Sequence, residues 1–110
     1  MEIFDADIQK LKNEIIENFV LHIGDAWKKA SEHDKKLLEQ CAKDAAKLHF
    51  KTLTSKEDLR KEILIVNASL ANLSVAIYIQ VNKIFWESVM RAATIVLTTF
   101  IRSAIAASVI

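Results

Sequence analysis

The sequence predicts an all-α protein in which two shorter amphipathic helices pack on a long apolar C-terminal helix, and oligomerisation completes the bundle. Three observations predict it. The chain has no proline and one glycine, Gly24, so the frequent tight turns of an all-β fold have no residues to make them. Apolar residues recur at spacings of three and four along most of its length. From Ile63 to Ile110, 32 of 48 residues are apolar, and only Lys83, Glu87, Arg91 and Arg102 are charged. A helix lying on one small core needs apolar residues at about three positions in seven. Two thirds exceeds that need, so the C-terminal half is expected to find a partner surface in copies of itself, another protein or lipid.

The first helix is marked by Ile8, Leu11, Ile15, Phe19 and Ile23, and is expected to end near Gly24, with Trp27 and Ala30 extending it by a turn or two. Ser31-Glu-His-Asp34 then reads as a helix start, Ser31 as N-cap and Asp34 as the capping-box acid. Leu37, Leu38, Cys41, Ala45, Leu48 and Leu53 form the stripe of the second helix, with Lys36, Lys43, Lys47 and Lys51 on its other side. Thr54-Ser-Lys-Glu57 is a second capping box and is expected to open the third helix. Leu59, Ile63, Val66, Leu70, Leu73 and Ile77 continue that helix at the spacing of a bundle seam, and Val81, Phe85, Val89, Ala93, Val96, Phe100 and Ala104 carry it on.

As one straight rod, 57–108 would measure about 78 Å, more than twice the roughly 30 Å of a small domain. It therefore either bends, around Gln80–Lys83 or Thr98-Thr99, or runs through a multimer. Val75, Ile77, Ile79 and Val81 also alternate with Ala76, Tyr78, Gln80 and Asn82 as a strand would. The helical spacing on either side and the lack of turn residues favour helix.

The chain reads as a single helical domain, 1–110, divided into charged amphipathic helices (1–54) and an apolar segment (55–110). Its net charge of +1 argues against a nucleic-acid partner chosen by bulk electrostatics. Charge is segregated, net −4 over residues 1–27 and net +4 over 28–56, which suits two helices folded back on each other. With Cys41 alone no intrachain disulfide can form, and the acidic start does not resemble a signal peptide. The expected location is the cytoplasm or an assembly, with a membrane as the alternative.

No motif names a chemistry. His22, His33 and His49 lie in no metal-ligand spacing, Cys41 falls on an apolar stripe, and one glycine cannot build the usual phosphate-cradling loops. No metal, cofactor, small-molecule substrate or enzymatic activity is expected. The lysine stripe is interleaved with Glu39 and Asp44 and reads as a solvated face. Asn67, Asn72 and Asn82 stand either as register-setting polar residues or as exposed edges. Small residues four apart (Ala68, Asn72, Ala76) permit close approach of helix backbones.

Self-association is expected through Leu70, Leu73, Ile77, Val81, Phe85, Trp86, Val89, Val96 and Phe100. Lys83, Glu87, Arg91 and Arg102 would form either the solvated strip of that helix or a polar seam between subunits. On this reading the protein is a structural subunit of a homo-oligomer, from a dimer to a coat or filament, and Val81→Asp or Phe85→Asp would dissolve the assembly while Lys47→Ala would not. The rival is a membrane-inserting hairpin of 63–82 and 92–110 with Lys83–Arg91 as its turn. Asn67, Asn72, Gln80 and Arg102 count against it, Arg102 alone costing about 2.5–3.5 kcal/mol at mid-bilayer. A third reading is an adaptor whose apolar groove receives a helix from another protein.

Overall fold

Gly24 makes the first break. Its φ of 62° lies in the left-handed region, where a Cβ is disfavoured, and its N–H still donates to the Val20 carbonyl at 2.9 Å. In the computed structural model, helix α1 (Glu2–Ile23) stops there, and a single turn, α2 (Asp25–Lys28), lets Trp27 fold its ring edge-on to Phe19, 6.0 Å between centroids. The structure describes residues 2–54, 58–77 and 81–109, with side chains over 6–52, 58–77 and 81–96.

Helix α3 (Glu32–Thr54) opens on the expected capping box: Asp34 N–H donates to Ser31 Oγ at 3.1 Å, and Ser31 N–H donates to Asp34 Oδ2 at 3.3 Å. Thr54 is the last residue of α3, so it does not open the next helix as expected; Ser55, Lys56 and Glu57 lie outside the described residues. Helix α4 (Arg60–Ile77) is started instead by Asp58, whose Oδ1 accepts from Arg60 N–H at 3.0 Å while its carboxylate pairs with the Arg60 guanidinium. That hydrogen bonding holds the Asp58 carboxyl below its ordinary pKa. Helix α5 (Val81–Val109) follows. All five elements among the described residues are helices, so the alternating stretch at Val75–Ile77 and the β-branched run from Thr94 to Ile101 are helical.

The stretch after residue 57 is not one rod. Trp86 Nε1 donates to Asn67 Oδ1 at 2.9 Å, although 19 residues of straight helix would hold them about 28 Å apart. Helices α4 and α5 therefore lie side by side and not end to end, and the longest dimension of the molecule is 50 Å. Helix α1 packs against α3 and α5, and α4 packs against the same two, so four antiparallel helices enclose one core with α1 and α4 at opposite corners.

That core is built from the predicted stripes. Leu11, Ile15 and Phe19 of α1 and Leu38, Cys41, Ala45 and Leu48 of α3 are buried, and they meet Val66, Leu70 and Leu73 of α4 and Val81, Phe85 and Val89 of α5. Phe19 and Phe85 meet edge-on at 5.9 Å. Ile63, on the predicted seam, is exposed instead, and the side chains of Leu53, Phe100 and Ala104 lie outside those described.

Candidate functional site

The residues expected to bind a second copy are placed inside the chain's own core. Leu70, Leu73, Val81, Phe85 and Val89 are fully buried and Val96 nearly so; Ile77 and Trp86 pack against them from the edge. Phe100 lies outside the described side chains. The physical reason is the side-by-side packing of α4 and α5: α1 and α3 then supply apolar surface that a partner was expected to supply. Leu70, Leu73, Val81, Phe85, Val89 and Val96 are therefore occupied by contacts within the chain itself.

Lys83, Glu87 and Arg91 stand in solvent on the outer side of α5, and among the described residues no ion pair joins them. The Arg102 side chain lies outside those described. Asn67 spends its carbonyl on Trp86, whereas Asn72 and Asn82 are exposed. Lys36, Lys43, Lys47 and Lys51 are exposed along α3.

The histidines are scattered. His22 Nδ1 lies 2.7 Å from the Asn18 carbonyl on an exposed face, His33 is exposed, and half-buried His49 has its pKa lowered by desolvation. Among the described residues no group of three His, Cys, Asp or Glu side chains could hold a metal ion. Cys41 is buried, and burial, followed by the nearby Asp44 charge, pushes its thiol up to about 11; a hydrogen bond with Ser69 of α4 opposes the shift. A thiol held protonated in this way is a poor nucleophile.

Between α3 and α4 a cleft of about 220 Å³ is lined by Asp44, Lys47, Leu48, Lys51, Glu62 and Ile65. Glu62 Oε2 is buried there without a hydrogen-bond partner. Lys47 and Lys51 share that lining, and a rotamer change of either flexible side chain could satisfy the carboxylate.

The feature that the spacing did not single out is the outer face of α4. At 100° per residue, Val66, Leu70, Leu73 and Ile77 point to the core. Leu64, Ala68, Ala71 and Val75 lie within about 60° of one another on the opposite side. All four are exposed, Leu64 by 68% and Val75 by 71%, and Ile65 beside them by 54%. The other long helices put charge outward: Lys10 and Glu17 on α1, Lys36 and Lys43 on α3, Lys83 and Glu87 on α5. From Ile63 to Ile77, α4 has none. The signal was present in the sequence, since a helix with one core stripe and no charge opposite it is apolar on two faces. Among the described residues, no helix is long and apolar enough to cross a membrane. No protein-family model, no curated protein and no solved structure matches this chain.

Proposed function

We propose that this protein is a non-enzymatic assembly subunit that associates with further copies of itself through the outer face of α4. One observation carries the reading: a charge-free helical face, Leu64–Ala68–Ala71–Val75 with Ile65 at its edge, is left in water after the four-helix core is complete. Contiguous apolar surface of this kind on a folded domain favours contact with another protein surface. The buried stripe of α4 and α5 supports the reading indirectly, because it anchors α4 in the core with the opposite face outward.

Light scattering on a sizing column, without detergent and over a range of concentrations, tests it. The expected result is a mass that rises above the 12.4 kDa of one chain. Leu64→Asp combined with Val75→Asp should return the mass to that of one chain with helix content unchanged. A parent chain that stays monomeric to millimolar concentration overturns the proposal. Recovery only in detergent would instead make lipid the partner, as the 63–82 and 92–110 hairpin requires.

A further inference from the structure

Lys12 is a charge set among apolar neighbours. It follows Leu11 and lies one turn before Ile15, both in the core, and it is only 8% exposed. Its ammonium meets Glu39 of α3 at 3.1 Å. An ion pair so sheltered gains little over a well-packed apolar side chain, so stability alone does not call for lysine there. An ammonium carries three N–H donors. Among the described residues one of them goes to Glu39, and no other group receives the remaining two.

Lys12 lines a groove of about 280 Å³ between α1 and α3, together with Gln9, Lys36, Glu39, Gln40 and Lys43. Three lysines meet one carboxylate, a net charge of +2, and every lining side chain is polar. Two other hollows are balanced: Asp44 and Glu62 against Lys47 and Lys51 between α3 and α4, and Asp25 against Lys29 beside Ala76 and Ile77. Lys36 and Lys43 are exposed and make no ion pair among the described residues. Lys36 precedes Glu39 by three residues and Lys43 follows it by four, about 4.5 and 6 Å along the axis. The two lysines therefore bracket the Lys12–Glu39 pair along the groove.

We propose that this groove binds a small soluble polyanion of the phosphate class, with Lys12 at its floor and Lys36 and Lys43 at its rim. A cleft lined by one sign of charge concentrates ions of the opposite sign. Lysine meets phosphoryl oxygens as a point charge on a flexible stem, so three of them can converge on one group. Gln9 adds an amide donor, whereas Gln40 directs its Nε2 to Asp44 Oδ1 at 2.9 Å. The volume falls just below the roughly 300–1,000 Å³ of drug-sized sites, which suits a phosphate or pyrophosphate group on a short polar carrier. No aromatic side chain lines the groove, so a nucleobase would find nothing to stack on. The proposal is independent of self-association through α4.

Glu39 works against the ligand. Its carboxylate, on a side chain 60% exposed, neutralises Lys12 and repels an incoming phosphoryl group. A phosphate oxygen brought to Lys12 takes over the neutralising role and leaves Glu39 free to turn to solvent. Glutamine at this position should therefore tighten binding, although it removes a partner from Lys12. A Lys12–Glu39 pair with a structural role alone gives no such gain.

Calorimetric titration of the whole chain with inorganic pyrophosphate, at about 0.15 M salt and with acetate as the monovalent control, tests the proposal. The expected result is one saturable site per chain with a Kd of about 1 mM or tighter, the range in which proteins hold metabolites. Lys12→Met, and separately Lys36→Gln combined with Lys43→Gln, should each weaken binding by about tenfold or more. Lys47→Gln combined with Lys51→Gln removes the same net charge from the same helix and should change it by less than about twofold. Glu39→Gln should tighten it by about threefold. Circular dichroism checks that each variant keeps its helix content, and the exposed Lys36 and Lys43 decide the matter even if Lys12→Met does not fold. No saturation by about 10 mM pyrophosphate, or acetate held as tightly, overturns the proposal. So does an equal loss in the two double variants, or a Glu39→Gln chain that binds no more tightly than the parent.

Discussion

Trp86 Nε1 donates a hydrogen bond to Asn67 Oδ1 across 2.9 Å, tying the first turns of α5 to the middle of α4. The same indole lies edge-on to Phe85, 5.4 Å between centroids, so its orientation is held from two sides. This contact fixes how α5 returns along α4 in a chain with neither glycine nor proline near residues 78–80. Asn67→Ala leaves the half-buried indole N–H without its partner and should cost about 1–3 kcal/mol. Trp86→Phe removes the donor and should expose a similar loss. A double-mutant cycle in urea measures the coupling, expected to be about 0.5–1.5 kcal/mol and lost if the two helices do not meet there.

Core and outer face should respond differently to substitution. Phe85 touches both Phe19 and Trp86 and is fully buried, so Phe85→Ala should destabilise the fold by about 3–5 kcal/mol. Phe85→Asp should unfold the chain rather than dissociate folded subunits. Leu64→Asp, on the exposed face, should leave the urea midpoint of the monomer nearly unchanged. Circular dichroism across a urea series separates the two outcomes, and equal midpoints for the two aspartate variants would contradict this assignment of faces.

Lys12 of α1 reaches Glu39 of α3 with its Nζ 3.1 Å from Oε1; its side chain is only 10% exposed and that of Glu39 is 60%. Removing the exposed partner leaves a largely buried lysine without its counter-charge, so Glu39→Ala should be the more damaging change, by about 1–2 kcal/mol after allowing for solvent screening. Lys12→Met keeps the apolar stem and discards the charge, and should be close to neutral. Thermal denaturation of the two single variants checks the order.

Two titrations bound the pH range of stability. The Cys41 thiol stands at about 11 in the folded chain against 9.0 for an unperturbed thiol, so the folded state favours the protonated form. Its contribution to stability is intact below pH 9.0 and is lost as pH rises from there towards 11. His49 has its pKa lowered by burial from 6.5, so the folded state favours the neutral ring. That contribution is present above pH 6.5 and is lost as pH falls from there through the folded-state value. His49→Gln should flatten the acid limb of the stability profile, and Cys41 should react with a disulfide reagent at pH 8 about 100-fold more slowly in the folded chain than in urea.

The helices were legible because their signals are local. Ile8, Leu11, Ile15 and Phe19 lie on one side of a 3.6-residue turn whatever else the chain does, and the reciprocal bonds of Ser31 and Asp34 need only four residues. A bend around Gln80–Lys83 was legible only as one of several ways to accommodate so long a stretch, beside Thr98-Thr99 and a rod through a multimer, since Tyr78-Ile79-Gln80 carries no turn residue to single it out. The apolar excess was therefore attributed to a partner for Leu70, Val81 and Phe85, when α1 and α3 cover all three. What counting could not decide was which apolar residues remain after the chain has covered itself. On α4 the answer, Ile63, Leu64, Ile65 and Val75, depends on the rotation of that helix about its own axis, a property of the packed bundle.

Gly24 holds φ at 62° and ψ at −127°, and a Cβ added there would meet nothing within 4 Å. Crowding therefore does not reserve the position. The cost of filling it comes from chirality: the mirror image of this backbone geometry is an ordinary extended one, comfortable for any L residue, whereas the geometry itself is comfortable only for glycine or a D residue. Alanine, serine and lysine at position 24 should accordingly carry nearly the same penalty. The first corner of the bundle is set by the handedness of its amino acids and is indifferent to their size.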